Sequence, residues 1–500
     1  MSYKLKRVKI IRSALVILLA GIVLTGWNSG TAYADVPYES YNYNFWGDDV
    51  QQPHSYLYSR TLEAGDFKTS LSYPQDMFYY NQELYIADTN NSRILKLSQE
   101  GEVLMELTYG SGEEDKLNKP QGVFVTGEGH IYVADTDNSR IVEYAADGSY
   151  LRQIGRPVTD LIAAAQEYKP TKVVVDHTGR IYAIAYGINM GLVEFNYKGE
   201  FQGFMAAAKV SIGTFEYIWK NYFSTKEQRA RMQTFVPTEY SSIFVDRENF
   251  IYATISNLSP DAYMEGADAI RRLNPTGKDI LRRLGNWPII GDLYSTADSD
   301  WSVFTDAYAT DYGCYFILDS AGGKIFAYDY DGNNLFCFGD AGSREGTLQN
   351  PVAFTLSDNQ EKIFVLDSIR GSILVYDITK YGAHLLNAMR TNYVGDSDTA
   401  NKEWQEVLKA NANSELAYIG LGKTYLKNGD YKKAMEYFKL GNSRKYYTKA
   451  FYYYRKDLME NSFGGIMAGV IGIAAVLLIF LWVKRIRRWV GEVRCTMSKH

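Results

Sequence analysis

Three cysteines and five histidines in 500 residues leave little material for whole classes of chemistry. So few cysteines cannot build the disulfide framework on which small secreted domains depend. Cys314 and Cys337 fall within one stretch of alternating apolar residues and read as free buried thiols on non-adjacent strands. The histidines (His54, His130, His177, His384 and His500) are too scattered to converge on a metal. There is no HExxH, no paired CxxC, no GxSxG and no P-loop, so zinc hydrolases, nucleophile-elbow hydrolases and nucleotide-binding enzymes find no support. No catalytic residue, metal ligand or cofactor is assigned. A basic footprint is missing as well. The formal net charge is −5, which argues against a nucleic-acid partner.

What is present begins at the two ends. Lys4, Lys6, Arg7, Lys9 and Arg12 precede the apolar run from Ala14, and a small-x-small pattern ends at Ala34. This is a signal peptide over residues 1–34, and its removal leaves an exported and still more acidic chain. A second apolar run, Phe463 to Val483, carries no charge and is followed at once by "KRIRR". It is long enough to cross a bilayer, and the basic cluster keeps residues 484–500 in the cytoplasm. The expected topology is single-pass, type I, with residues 35–461 outside a bacterial, Gram-positive-like cell membrane.

Tyrosine is abundant (42 residues), with 23 Phe and 8 Trp. That excess favours strands and, in an exported protein, also offers surfaces for stacking on carbohydrate. The strand reading is strengthened by repetition. "LYIADTNNSRILKL" at Leu84 is nearly restated by "IYVADTDNSRIVEY" at Ile131, and weaker copies begin at Ile181, Ile251, Tyr315 and Ile363. Each copy follows an alternating run, as in "PQGVFVT" at Pro120, and leads through a polar turn to two further strands. Four strands per unit at a period of about 50 residues describe a propeller blade. Six copies predict a six-bladed β-propeller over residues 35–381. The last copy lacks a fourth strand, and "SYLYSRTLEAG" from Ser55 is placed to supply it, fastening the ring so that no strand edge is left open.

The motif "YVADTDNSRI", with "KPQGVFV" before it, resembles the NHL repeat family of six-bladed propellers. The resemblance implies a fold and not an activity, because propellers host lyases, lactonases and pure binding platforms. Asp88 and Asp135 end a strand before Asn-containing turns, where their carboxylates are expected to accept hydrogen bonds from the turn amides at Asn90–Asn91 and Asp137–Asn138. Arg93 and Arg140 open the next strand and are expected to pair with a neighbouring Asp. Asp319 and Asp367 stand at the same place. All six residues are read as structural, since every blade meets the same turn problem.

Two spacings are longer, and both extra segments lie on the face that carries the signature turns. Residues 209–235 read as an inserted helix, with Trp219 and Tyr222 on its aromatic stripe; the second insert carries Trp287 and Tyr294. These four are the candidate binding residues, since function concentrates in loops on a rigid scaffold. Family lactonases hold a metal in the central channel with acidic and amide groups. Here the corresponding positions read Gln75–Asp76, Gln121–Gly122 and Thr171–Lys172, and a lysine there opposes a cation.

Beyond Tyr381 the period becomes helical. "AYIGLGKTYLKNGDYKKAMEYFKLG" resembles a tetratricopeptide repeat, with Gly422, Tyr425, Ala434 and Phe438 at the spaced positions; a short module over residues 382–461 is expected. In the apolar run, Gly465 and Gly469 stand four apart, a spacing that lets membrane helices approach closely. The sequence therefore reads as a membrane-anchored extracellular scaffold for a membrane or cell-envelope partner, such as a transporter subunit, with carbohydrate as a candidate ligand. The alternative is a lactonase-like hydrolase or lyase acting on a sugar-derived substrate in the channel.

Overall fold

The computed structural model describes residues 36–162, 165–188, 190–206, 240–256, 258, 268–292 and 301–497. The expected signal peptide over residues 1–34, the expected helical insert 209–235, Trp219, Tyr222 and Tyr294 lie outside these residues.

Alternating apolar runs form six antiparallel sheets arranged as blades. Blade 1 comprises Asp76–Tyr80, Glu83–Asp88, Arg93–Ser98 and Val103–Leu107. Blade 2 runs from Gly122–Val125 to Tyr150–Ile154, and blade 3 from Lys169–Val175 to Phe201–Met205. Blade 4 starts with Ser242–Val245 and has three strands among the described residues. Blade 5 spans Phe304–Ala309 to Asn334–Gly339, and blade 6 begins with Pro351–Leu356. The first strand of each blade contacts the first strands of both neighbouring blades, which closes the ring around a channel.

Blade 6 takes its fourth strand from the other end of the chain. Tyr56–Leu62 pairs antiparallel with Ser372–Ile378, from Ile373 opposite Leu62 to Ile378 opposite Tyr56. Tyr56 and Leu62 are both buried, and the Tyr56 hydroxyl donates to the Gln360 carbonyl at 2.6 Å. One element was not anticipated from the sequence. Ser40–Tyr43 and Asp49–Gln51 form a hairpin that adds two strands to the outside of blade 5, through Ser40 opposite Phe338 and Tyr41 opposite Cys337. Strands of four and three residues separated by "NFWGD" leave too short an alternation to recognise.

Cys314 and Cys337 are free and buried. Cys337 is on a strand as expected, whereas Cys314 sits in the turn just before Tyr315–Asp319.

Five helices follow: α1 (Lys380–Val394), α2 (Ser397–Ala410), α3 (Glu415–Lys427), α4 (Tyr431–Leu440) and α5 (Arg444–Met497). The first four are capped by Thr379, Asp396, Ser414 and Asp430, whose side chains accept from first-turn amides, as their short polar side chains favour. Consecutive helices pack pairwise. Close approach is bought by glycine: a Cβ on Gly420 would stand 2.2 Å from the Trp404 ring, and one on Gly422 would stand 2.5 Å from Phe438. Leu385, Leu386, Trp404 and Leu421 share one apolar cluster with Phe336, Phe338 and Tyr376 of blades 5 and 6. The helices are thus docked on the propeller through a common core. Helix α5 passes through the expected boundaries at 461–463 and 483–484 without a break, and its apolar window has no buried residue.

Candidate functional site

The alternation of four antiparallel strands puts the second-to-third turns and the blade-to-blade connections on one face. The signature residues lie there. Asp88 Oδ1 accepts from the Ser72 N–H at 2.7 Å, while Oδ2 accepts from Asn91 Nδ2 and Arg93 Nε, both at 2.8 Å. Asp135 repeats this with Asn118 N–H (2.7 Å), Asn138 Nδ2 (2.8 Å) and Arg140 Nε (2.7 Å). The backbone donor therefore comes from the connection entering the blade. The turns' own backbone amides are engaged elsewhere, Asn90 with the Ser72 carbonyl and Asp137 with the Asn118 carbonyl. Asp319 binds Val303 N–H and Ser302 Oγ, each at 2.8 Å. Asp367 accepts from Gln349 N–H at 2.7 Å, with Arg370 Nε no closer than 3.8 Å. Each carboxylate welds a blade to the connection that precedes it.

Strand register aligns one channel position in every blade: Asp76, Gly122, Lys172, Ser242, Asp306 and Ala353. The charged members form two fastenings. Asp76 of blade 1 accepts from the Val123 N–H of blade 2 at 2.9 Å and from Lys172 Nζ of blade 3 at 2.5 Å. Asp306 of blade 5 accepts from Ser242 Oγ of blade 4 at 2.7 Å and from the Phe354 N–H of blade 6 at 3.0 Å. Two carboxylates thus tie three blades each. Gly122 lets this layer close, because a Cβ there would meet the Thr171 carbonyl at 2.6 Å. Burial works against the Lys172 charge, but Asp76 and Asp306 outweigh it and hold its pKa above the usual lysine value. Burial raises the Asp306 carboxyl above its ordinary range, with Lys172 opposing and Asp76 adding to the rise.

Asp76 and Lys172 were visible in the sequence as channel-mouth positions. Asp306 and Ser242 were not, because "FTDAYA" and "SIFV" lack the leading proline that marks other first strands.

The free volume in this layer is about 30 Å³, room for two or three waters. A sugar-derived substrate does not fit there. Nor does the donor set suit a divalent cation, since the Lys172 ammonium already pairs with Asp76 there. No group of three or more His, Cys, Asp or Glu with metal-binding geometry occurs among the described residues.

An open cleft of about 1610 Å³ runs along the same side, between residues 36–59 and the signature face of blades 5 and 6. Asp292 is its electrostatic centre, accepting from the hydroxyls of Tyr41 (2.7 Å) and Tyr43 (2.5 Å) and from Lys324 Nζ (2.5 Å). Trp287 is not splayed toward solvent. Its ring stacks on Tyr43 at 5.5 Å and 24°, so one face of this candidate binding residue is spent on seating the hairpin. Apolar side chains nevertheless stand out on the signature face: Tyr73, Val158, Leu161, Tyr186 and Ile369 are all exposed.

Gly465 and Gly469 lie on α5, and beyond the helix's own backbone no atom of the described residues is near the position a Cβ would take.

One family model matches the chain. Residues 117–144 match the NHL repeat, which spans the connection, three of the four strands and the signature turn of blade 2. No curated protein sequence matches. Among solved structures, a streptogramin B lyase is similar at 11% identity and TM-score 0.40, over 65% of this chain and 100% of that one. A catalytically inactive virginiamycin B lyase from Staphylococcus aureus, solved with quinupristin, is similar at 12% and 0.37, over 61% and 80%. A gluconolactonase from Xanthomonas campestris is similar at 12% and 0.40, over 68% and 95%. At these identities nothing about activity carries over. The chain contains an NHL repeat within a six-bladed β-propeller.

Proposed function

We propose that this chain is a membrane-anchored binding protein that holds its propeller outside the cell and offers the signature face to a membrane or cell-envelope partner. The observation that carries the reading is the continuity of α5. Its first turns pack on α4, and its later part is a long apolar surface that nothing among the described residues covers. A soluble protein rarely leaves such a surface to water, and the run has the length and composition to cross a bilayer. At 1.5 Å per residue, Arg444 stands about 28 Å from Phe463. The helical module, whose α3–α4 pair is tetratricopeptide-like, acts as a rigid bracket between membrane and propeller. An open cleft of 1610 Å³ exceeds the roughly 300–1,000 Å³ of enclosed small-molecule pockets, and it suits a segment of another protein.

The second reading, a hydrolase or lyase at the channel, draws on the two channel carboxylates. Against it stands their use: both are saturated by neighbouring blades and by Lys172. Fractionation with protease protection tests the first reading. The propeller should stay with the membrane after carbonate washing and be degraded by protease added outside intact cells. A soluble or internally protected propeller would overturn it.

A further inference from the structure

Between the N-terminal hairpin, blade 5 and α3 lies a small pocket, half of whose lining residues are asparagines. Its free volume is about 40 Å³. A water needs roughly 10–15 Å³ on that measure, so the pocket admits two or three small polar groups and no complete ring.

Asn334 forms part of the wall and is 7% exposed. Its Nδ2 donates to the Ala327 carbonyl at 3.2 Å and the Phe336 carbonyl at 3.4 Å. That fixes the orientation of the amide, because the reverse placement would set an oxygen against two acceptors. Asn334 Oδ1 is thereby left as a buried acceptor with no partner among the described residues. A buried acceptor of this kind calls for a donor from outside.

Asn42, Asn286 and Asn413 bring further amides to the pocket, and none of these side chains is hydrogen-bonded within the described residues. The charge in the lining is that of Glu415, whose two oxygens accept from the Phe45 N–H (2.9 Å) and Asn442 Nδ2 (2.6 Å). Neither Lys, Arg nor His lines the pocket.

We infer that this pocket binds the hydroxyl-bearing end of a neutral saccharide. A hydroxyl both donates and accepts, which matches amides offering a carbonyl and an NH₂ and satisfies Asn334 Oδ1 at the same time. A phosphate or carboxylate would find no cation and would face Glu415. An ammonium would satisfy Oδ1 but give nothing to the amide NH₂ groups. Val50, Leu416 and Ile419 supply apolar contacts for sugar C–H groups. The inference does not depend on membrane insertion.

The test is saturation-transfer NMR on the full chain in detergent micelles. The probes are methyl glucoside, methyl galactoside, methyl mannoside, N-acetylglucosamine and chitotriose, with glucose 6-phosphate as the charged control. At least one neutral sugar should bind saturably, glucose 6-phosphate should not, and the double variant Asn286→Ala/Asn413→Ala should weaken binding at least 5-fold. Both positions are exposed, so melting should be unchanged. Absence of saturable binding across the panel, binding indifferent to the double variant, or preference for the phosphate would each overturn the inference.

Discussion

Lys172 Nζ lies 2.5 Å from Asp76 Oδ1 across the central channel, although the two residues belong to blades 3 and 1. One ammonium thus serves a ring in which two carboxylates, Asp76 and Asp306, are buried. A buried charge that loses its partner is costly, whereas removing both partners is much cheaper. Lys172→Met should therefore destabilise the propeller by about 3–5 kcal/mol, and Lys172→Met with Asp76→Asn should recover more than half of that. Urea unfolding of the two variants decides it. If the double variant is no more stable than the single one, the pair is not a unit.

Asp306 sets a pH dependence of known sign. Its folded-state carboxyl is raised above the unfolded value, mainly by burial. Between those two values the folded state holds more protons than the unfolded state, so this group's contribution to stability grows as pH falls and is lost as pH rises through the folded value. The stability difference between the parent and Asp306→Asn should therefore shift toward the parent as pH drops from 7 to 4. A shift toward the variant would show that the hydrogen bonds from Ser242 and Phe354 hold Asp306 ionised.

The ring and its blades were readable because the signature recurs, two longer spacings notwithstanding, and each copy keeps its strand–turn–strand grammar. The closing segment at Ser55 was readable because the last copy was one strand short. The channel layer was only half readable: Asp76 and Lys172 follow recognisable entries, but Asp306 becomes their equivalent only through strand register. Trp287 was singled out for its size and its place in an insert, and a sequence does not disclose that Tyr43, far away in the chain, covers one side of the ring.

The signature carboxylates should not be equally important. Asp135 is fully buried and paired with Arg140 at 2.7 Å, so Asp135→Ala breaks a buried ion pair and leaves that guanidinium to Asp115, at 2.8 Å, and Gln153. Asp367 is as buried, but its nearest guanidinium nitrogen is at 3.8 Å. Asp135→Ala should cost about 3 kcal/mol and Asp367→Ala about 1–2 kcal/mol, the difference reflecting the broken ion pair. Equal losses in chemical denaturation would assign the whole effect to the backbone amides that both carboxylates hold.

Ring closure should be sensitive at Tyr56. Truncation to alanine removes a fully buried ring and its bond to the Gln360 carbonyl, a loss of about 3–5 kcal/mol for an aromatic core residue. Trp46, at the hairpin tip and 75% exposed, should tolerate alanine within about 0.5 kcal/mol. Comparable shifts in melting temperature would mean that the hairpin, and not the closing strand, fastens the two ends.

The joint between propeller and α5 is concentrated on Asp331, in the hairpin turn before the last strand of blade 5. Its carboxylate accepts from the Tyr446 hydroxyl at 3.1 Å and pairs with Arg282 at 2.9 Å and Lys423 at 3.6 Å. Tyr446 lies in the first turn of α5 and Lys423 on α3, so one side chain holds blade 5 to two helices. Asp331→Ala should leave the propeller core intact, since none of these partners belongs to it, while loosening the start of α5. A local loss of about 1–2 kcal/mol raises the open population roughly 5- to 30-fold. Trypsin cutting at Arg444 and Lys445 in the micelle-bound chain should accelerate by that factor while cutting within the propeller stays constant. Unchanged cleavage would mean that the shared apolar core alone fixes the helical module to the propeller, and that the polar contacts at Asp331 add nothing to its rigidity.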